Sequence, residues 1–576
     1  MRVFEPGTGT LCDVLRWRAV NQPDDRACVF VRNGAELAAW TYGELDRRAR
    51  AVAVRLQNNG ATGQRVMLLC PPGLDYAAAF FGCLYAGAVA VPLFPPRASR
   101  RDARFESVLA DATPVVALTT RAVVESDVPQ FYPALHWVAT DDLQEAEGDG
   151  WQPAAVGSDD LAFLQYTSGS TSRPKGVMVT HGNLIHNEWQ IQTHFGLDEK
   201  SLICSWVPLF HDLGLIAMLL QAIYLGSCCV LMSPLEFLQH PLNWLAAISR
   251  YRAVFSAAPN FAYDLCVRRA TPEAVAGLDL SCLSRAANAA EPVREETLER
   301  FSETFALAGF RPEAFLPCYG MAEATVFAAG SLPGRLPQSW KVDRTALERQ
   351  ELRTVSADDP GARGLIACGT PPAGIRLAVV DPETLEPCPD DRSGELWIAG
   401  PNIAQGYWNR RDATEQVFHA RTAAGDGPFL RTGDLAAIRD GQLYIVGRAK
   451  DVIILRGQNH YPEDIEWTLQ NCHPAIRPSG TAAFSDDSDG EERLIVAVET
   501  ERLDTATADA VISSIRRALF EHHALSAHGI LLLGPRAIPK TSSGKVQRQE
   551  ASRLFREDGL TIIYGVLGEE HLTPTR

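Results

Sequence analysis

Two stretches of this chain, residues 76–96 and 213–235, carry no charged residue over a length that could cross a membrane. A membrane helix needs roughly 20 consecutive apolar residues. Both stretches are broken from within. The first contains Gly82, Gly87 and Pro92; the second contains Gln221, then Gly226-Ser227 before Cys228-Cys229-Val230-Leu231-Met232. Each therefore reads as a buried helix, a glycine turn and a buried strand, the repeating unit of an α/β core. No transmembrane segment is expected.

The same alternation runs through most of the chain. Thr41-Tyr42-Gly43-Glu44 is a capping box that starts a helix at Thr41. Leu45, Ala49, Val52 and Leu56 follow at helical spacing, and Asn59-Gly60 ends it. Strand-like runs at 66–70, 115–118, 161–166 and 254–257 predict a largely parallel sheet with helices on both faces. Residues 331–362 are polar and mixed in charge, and read as an inserted surface segment. Shorter strand-like pieces at 376–380, 394–398 and 442–445 then predict a small β-rich subdomain. Beyond Gly447, strands at 452–455, 482–484, 494–498 and 530–533 alternate with helices near 462–470 and 508–521. The expected plan is a large α/β domain over 1–447, a linker at 448–451 and a small, mobile α+β domain over 452–576. A chain of 576 residues is long enough for more than one domain.

Lys and Arg number 54 against 70 Asp and Glu, so the net charge is 54 − 70 = −16. Such a surface repels nucleic acid and anionic lipid as a whole, and leaves room only for a local basic cleft. The 13 cysteines are odd in number, scattered, and nowhere spaced as CxxC, so reduced thiols are expected rather than a disulfide framework or metal site. The opening MRVFEPGTGT has an acidic residue and no apolar core. No secretory leader is read there, and a cytoplasmic protein is expected.

Chemistry concentrates first in Tyr166-Thr167-Ser168-Gly169-Ser170-Thr171-Ser172-Arg173-Pro174-Lys175-Gly176. A strand feeds a loop of glycine and hydroxyls and then a lysine. Glycine lets backbone N–H groups turn toward an anion, and hydroxyls and a lysine add donors and charge. The P-loop pattern is not met, because Pro174 precedes the lysine and Gly176 follows it. The whole string resembles the phosphate loop of the adenylate-forming superfamily of acyl-CoA synthetases, luciferases, nonribosomal adenylation domains and fatty acyl-AMP ligases. Four further signatures follow in that superfamily's order, so the resemblance covers nearly the whole chain.

Tyr319-Gly320-Met321-Ala322-Glu323-Ala324-Thr325 is similar to the motif whose aromatic ring stacks on adenine and whose glutamate helps hold Mg²⁺. Mg²⁺ favours few carboxylates plus phosphate oxygens, which suits Glu323. Ala322 stands where many relatives carry Thr. Arg431-Thr432-Gly433-Asp434-Leu435 resembles the ribose site, with Asp434 as acceptor. Gly447-Arg448-Ala449-Lys450-Asp451 resembles the hinge, which implies a ribose contact from Arg448 and a pivot at Lys450. Pro539-Lys540-Thr541-Ser542-Ser543-Gly544-Lys545 resembles the loop of the catalytic lysine, here Lys545. Such a lysine offsets charge that builds on the α-phosphate oxygens as a carboxylate attacks. His211, in Trp206-Val207-Pro208-Leu209-Phe210-His211-Asp212-Leu213-Gly214, matches a histidine near the reacting carboxylate. Asn288-Ala289-Ala290-Glu291-Pro292 resembles the loop that reads adenine, through Ala290 and Glu291.

Within the superfamily, three features resemble the fatty acyl-AMP ligases. They are Arg456-Gly457-Gln458-Asn459-His460-Tyr461-Pro462 after the hinge, the long acyl-pocket region over 237–269, and the polar segment 331–362. In that family the inserted segment restrains the small domain and disfavours transfer to CoA. The implied reaction joins a fatty acid and ATP into acyl-AMP and pyrophosphate. The acyl group then passes to the phosphopantetheine thiol of an acyl carrier protein. ATP and Mg²⁺ are the implied cofactors. Carrier proteins are usually acidic, so a docking patch is sought among Arg268, Arg269, Arg294 and Arg300. The alternatives are a fatty acyl-CoA or aryl-CoA ligase, and a nucleotide-binding scaffold that has lost catalysis.

Overall fold

A computed structural model of the chain describes residues 9–96, 102–167, 174–455, 458–486, 492–541, 544–568 and 570–572. Both uncharged runs fold as the sequence predicts. Asp75–Tyr85 is a buried helix followed by the buried strand Val89–Pro92. Asp212–Gly214, Leu215–Leu220 and Gln221–Leu225 make one continuous helical run before the strand Cys229–Met232. No described helix is long and apolar enough to cross a membrane.

These units assemble into two sheets. The first has six strands in the order His136–Ala139, Val116–Thr119, Arg65–Leu68, Val89–Pro92, Leu161–Thr167 and Lys175–Thr180. All pairs are parallel except the last, which sets Thr167 opposite Lys175. The second sheet runs Ala329–Gly330, Phe315–Tyr319, Arg285–Asn288, Phe255–Ala258, Ile203–Ser205, Cys229–Met232, Arg26–Arg32 and Ala35–Thr41. Its six inner strands are parallel and its two edge strands antiparallel.

Parallel strands need cover on both faces. The helix Tyr42–Asn58 supplies part of it, packed so closely on Asp75–Tyr85 that a Cβ at Gly82 would fall 2.4 Å from Val52 Cγ1. Its capping box is formed: Thr41 Oγ1 accepts from the Glu44 N–H at 3.2 Å, and Glu44 Oε2 accepts from the Thr41 N–H at 2.8 Å. Thr41→Ala removes that cap at a cost of about 1 kcal/mol. A fall of that size in urea-unfolding stability, with activity unchanged, is the expected result.

A four-stranded antiparallel sheet, Arg376–Val380, Gly394–Ala399, Leu430–Arg439 and Gln442–Arg448, follows where the sequence predicts a β-rich subdomain. Residues 331–362 correct the sequence reading. They are more than a surface insertion, because the strand Ser339–Asp343 pairs with Ala362–Ile366. Trp340, Val342, Leu347 and Leu352 are buried with Tyr444 and Tyr461 in a separate small core. The remaining chain forms a five-stranded sheet, Ile476–Asp486, Arg493–Thr500, Gly529–Leu533, Ile562–Leu567 and Glu570–Leu572. It buries two apolar clusters of its own, one on each face. All 13 cysteines are free thiols, as read from their spacing.

Candidate active site

In open parallel sheets, ligands sit beyond the carboxyl ends of the strands. The motif residues gather there. Thr167 ends Leu161–Thr167, and Tyr319 ends Phe315–Tyr319. Ala290 and Glu291 follow Arg285–Asn288, and His211 lies in the loop after Ile203–Ser205. Ser168, Gly169, Ser170 and Thr171 of the phosphate loop lie outside the described residues.

Tyr319 donates its hydroxyl to Asp434 Oδ2 at 2.6 Å. Arg448 Nε stands 3.2 Å from Asp434 Oδ1, across a strand register that sets Arg448 directly opposite Asp434. Burial, and then the Asp434 charge, push the Tyr319 phenol well up. The Tyr319 hydroxyl also lies 3.9 Å from Met321 Sδ. The loop behind this triad has little freedom. A Cβ at Gly320 would fall 1.7 Å from the Val326 carbonyl oxygen, and Thr325 is held at φ +67°. Asn402 pins it by donating to the carbonyls of Ala324 at 3.0 Å and Phe327 at 2.9 Å.

Glu323 is 9% exposed, and its Oε1 accepts from the Tyr407 hydroxyl at 2.8 Å. Burial pushes its carboxyl up, with Tyr407 opposing. Lys175 lies on the face of the same Tyr407, 4.8 Å from the ring centre. Desolvation and then the charge of Lys450 pull the Lys175 ammonium below its usual range. Two lysines and a buried carboxylate thus share one end of the cleft. Among the described residues no three His, Cys, Asp or Glu side chains form a metal cage. A single buried carboxylate fits Mg²⁺, which completes its shell with water and phosphate oxygens.

Lys545 comes from a tight turn in which Thr541 N–H donates to the Lys545 carbonyl at 2.8 Å and Lys545 N–H to Thr541 Oγ1 at 3.1 Å. Its side chain keeps solvent-accessible surface. Desolvation lowers the ammonium below the ordinary lysine value, opposed chiefly by Asp212 and also by Glu291 and Asp434; Arg448 adds to the lowering. Four motifs far apart in sequence therefore act on one charge. Glu291 Oε1 accepts from the Phe261 N–H at 2.5 Å, and burial pushes its carboxyl up. Ala290 before it is held at φ +71°, a strained position for a residue with a Cβ.

The chain beyond the hinge is tied to this cleft by a buried ion cluster. Arg294 donates to Asp464 Oδ1 at 2.8 Å and to the Glu463 carbonyl at 2.9 Å. Arg363 Nε lies 2.7 Å from Asp464 Oδ2. Burial pushes Asp464 up, but Arg363 and Arg294 overcome it and hold the carboxyl below its usual range. Residues of the 331–362 segment join in. The Glu348 carbonyl accepts from the N–H and the side-chain amide of Asn459 at 3.1 and 3.0 Å, and Leu347 accepts from the Tyr461 hydroxyl at 3.3 Å. Past the hinge, Arg548 binds Asp451 at 2.7 Å, Glu463 at 2.8 Å and Glu466 at 2.8 Å.

The structure thus brings together Lys175, Tyr319, Glu323, Asp434, Arg448, Lys450 and Lys545, with His211 and Glu291 on the same side. Of the four arginines named for a basic docking patch, Arg268 and Arg300 are both paired with Asp264, and Arg294 is paired with Asp464. Sequence reasoning missed Tyr407 and Asn402. Their only signals are a Gly406-Tyr407-Trp408 step and an Asn after Pro401, and neither points to a nucleotide.

Comparison with known proteins decides the family. The signature of the family described as "AMP-binding enzyme" matches residues 15–408. The chain belongs to the AMP-binding enzymes. A second signature, "Disco-interacting protein 2-like, AMP domain", matches residues 450–564. Among relatives of this AMP-binding enzyme is the medium-chain-fatty-acid–[acyl-carrier-protein] ligase JamA of Moorena producens, 44% identical, with 96% of each chain covered. The putative fatty-acid–CoA ligase fadD25 of Mycobacterium tuberculosis is 37% identical, covering 96% of this chain and 98% of its own. The crystal structure of the fatty acyl-adenylate ligase from Legionella pneumophila, in complex with acyl adenylate and pyrophosphate, aligns with a TM-score of 0.76 at 38% identity. It covers 97% of this chain and 98% of that one.

Proposed function

We propose that this AMP-binding enzyme is a fatty acyl-AMP ligase that hands its acyl group to an acyl carrier protein. The observation that carries the reading is the triad of Tyr319, Asp434 and Arg448 at the carboxyl end of Phe315–Tyr319, built as a ribose and base site. Lys545, whose charge is coupled to those of Asp434 and Arg448, is assigned to the α-phosphate of the nucleotide bound there. One fatty-acid carboxylate oxygen attacks the α-phosphorus, the bond to the bridging oxygen breaks, and pyrophosphate leaves with its electron pair. Lys545 offsets the charge on the α-phosphate oxygens. Asp434 and Arg448 hold the ribose, and Tyr319, Gly320, Met321, Ala290 and Glu291 bound the adenine. Thr167, Ser168, Gly169, Ser170, Thr171 and Lys175 take the β- and γ-phosphates. Glu323, with phosphate oxygens, would hold Mg²⁺, which would supply positive charge opposite the leaving pyrophosphate.

His211 faces the incoming carboxylate. Residues 1–447 form the adenylating domain, 448–451 the hinge with Lys450 as pivot, and 452–576 a domain that turns to admit the carrier's thiol. Hinges are short terminal segments of this kind. The contacts of Arg344, Leu347 and Glu348 with that domain support restraint by the inserted segment. A cytoplasmic setting accords with the buried free thiols.

The test incubates the protein with ATP, Mg²⁺ and a ladder of fatty acids, with CoA or a phosphopantetheinylated carrier protein, and reads products by mass spectrometry. Acyl-AMP that persists with CoA and loads the carrier is the expected result. Prompt acyl-CoA would establish a CoA ligase instead, the activity named for fadD25. No adenylate from any acid would leave only a nucleotide-binding scaffold.

A further inference from the structure

The chain over 404–408 is a short edge that ties two parts of the cleft together. On one side it pairs with the strand Lys175–Thr180. Gln405 N–H donates to the Met178 carbonyl and Met178 N–H to the Gly406 carbonyl, both at 2.9 Å, and Trp408 N–H donates to the Gly176 carbonyl at 2.7 Å. On the other side Ala404 N–H donates to the Glu323 carbonyl at 2.9 Å. Tyr407 lies between, opposite Val177. Its backbone has no slack. Tyr407 N–H donates to Thr414 Oγ1 at 2.9 Å, and a Cβ at Gly406, held at φ +129°, would fall 2.3 Å from Thr414 Cγ2. The ring is 7% exposed and meets Phe418 edge-on at 5.1 Å.

Two charges of opposite sign use this one side chain. Glu323 Oε1 accepts the hydroxyl at 2.8 Å, and Lys175 Nζ lies over the ring face, 4.8 Å from its centre. Among the described residues neither charge forms an ion pair; each meets the phenol instead. Paired with each other, the two would cancel, and a buried pair is costly to part. A phenol avoids the cancellation. Its hydroxyl makes one hydrogen bond to a carboxylate that has about four lone-pair sites. Its π face attracts an ammonium without neutralising it.

We infer that Tyr407 is a positioning residue for the triphosphate end of the cleft: its hydroxyl aims Glu323, and its ring face holds Lys175 apart from that carboxylate, so both charges stay available to a metal-bound nucleotide. The inference rests on the roles proposed above for Glu323 and Lys175. Carboxylates that hold a metal are themselves hydrogen-bonded, and losing the outer partner weakens the metal about 10–100-fold. Because 404–408 is bonded to both the Glu323 loop and the Lys175 strand, the ring keeps its place between them with or without nucleotide.

The experiment titrates the full chain calorimetrically with ATP, without fatty acid, first in EDTA and then in Mg²⁺, with AMP as the control. AMP lacks the β- and γ-phosphates and reports on the side of Tyr319, Asp434 and Arg448. Tyr407→Phe keeps the ring and loses the hydroxyl. The gain in ATP affinity brought by Mg²⁺ is expected to fall about tenfold, while AMP binding and metal-free ATP binding hold. Tyr407→Leu removes the face as well. Lys175 then turns to Glu323, and metal-free ATP binding also falls. Adding Glu323→Gln to Tyr407→Leu removes that competitor and restores the metal-free ATP affinity, a recovery that a damaged fold does not show. A Mg²⁺ gain unchanged in Tyr407→Phe, or ATP and AMP binding lost in parallel, would overturn the inference alone. Absence of acyl-AMP from the unaltered chain in the product assay would overturn the functional reading and this inference with it.

Discussion

Lys545→Ala lowers the rate of acyl-AMP formation about 10²–10³-fold while AMP still binds. Removing one preorganised donor from a developing oxyanion costs about 3–4 kcal/mol of transition-state stabilisation. Lys545 is the residue proposed for that position, and the triad of Tyr319, Asp434 and Arg448 is complete without it. Pyrophosphate release checks the first half, and calorimetric AMP titration the second. Lys545→Arg recovers little, because a planar, delocalised fork does not reproduce the compact point charge of an ammonium. The unaltered enzyme has a matching pH signature. Desolvation lowers the Lys545 ammonium. Rate is therefore full while the lysine is protonated, and it falls as pH rises through a value below the ordinary lysine value of about 10.4. A first-half rate untouched in Lys545→Ala would remove the lysine from the chemistry.

Gly320→Ala abolishes the nucleotide seat although it adds a single methyl group. Its Cβ would stand 1.7 Å from a backbone oxygen, that of Val326, and backbone cannot rotate aside as a side chain does. Overpacking of this kind costs about 3 kcal/mol at the upper end of its usual range. The displaced atoms belong to the turn that carries Tyr319 on one side and Glu323 on the other. A shift near 1 Å at such a point costs about 10²-fold in rate. AMP affinity and urea stability are expected to fall together. Gly150→Ala, where an added Cβ meets nothing within 4 Å, serves as the control and leaves both unchanged. Wild-type AMP affinity in Gly320→Ala would show that the turn has slack the structure does not display.

Much of this architecture is legible in the residues themselves. Helix starts carry local signals, so the Thr41 cap and the helix Pro462–Gln470 are predicted to within a residue. Buried parallel strands are short apolar runs between breakers, and Val89–Pro92 and Phe255–Ala258 lie where such runs place them. The 331–362 segment is misread because its core rests on few apolar anchors. Trp340, Val342 and Leu347 are separated by charges, and their partners Tyr444 and Tyr461 lie about a hundred residues on. Leu215–Leu220 is apolar on every side, so no periodicity distinguishes a π-helical turn from an α-helical one. In the site, motif residues are readable because each is a local string. Tyr407 sits outside every such string and works only through Glu323 and Lys175. Pairings of that sort are set by topology.

Asp464, clasped by Arg294 and Arg363, bears on the timing of the whole cycle. A buried carboxylate between two guanidinium groups cannot be half released, since losing one partner leaves uncompensated charge out of water at a cost of about 3–5 kcal/mol. The two orientations proposed for residues 452–576 are therefore separate states with a barrier between them, and few molecules dwell part-way. Such a barrier works as a clock. On the proposed hinge motion, it would hold the freshly made acyl-adenylate out of reach of passing nucleophiles for an interval set by heat and hardly at all by ionic strength, because bulk ions screen buried pairs poorly.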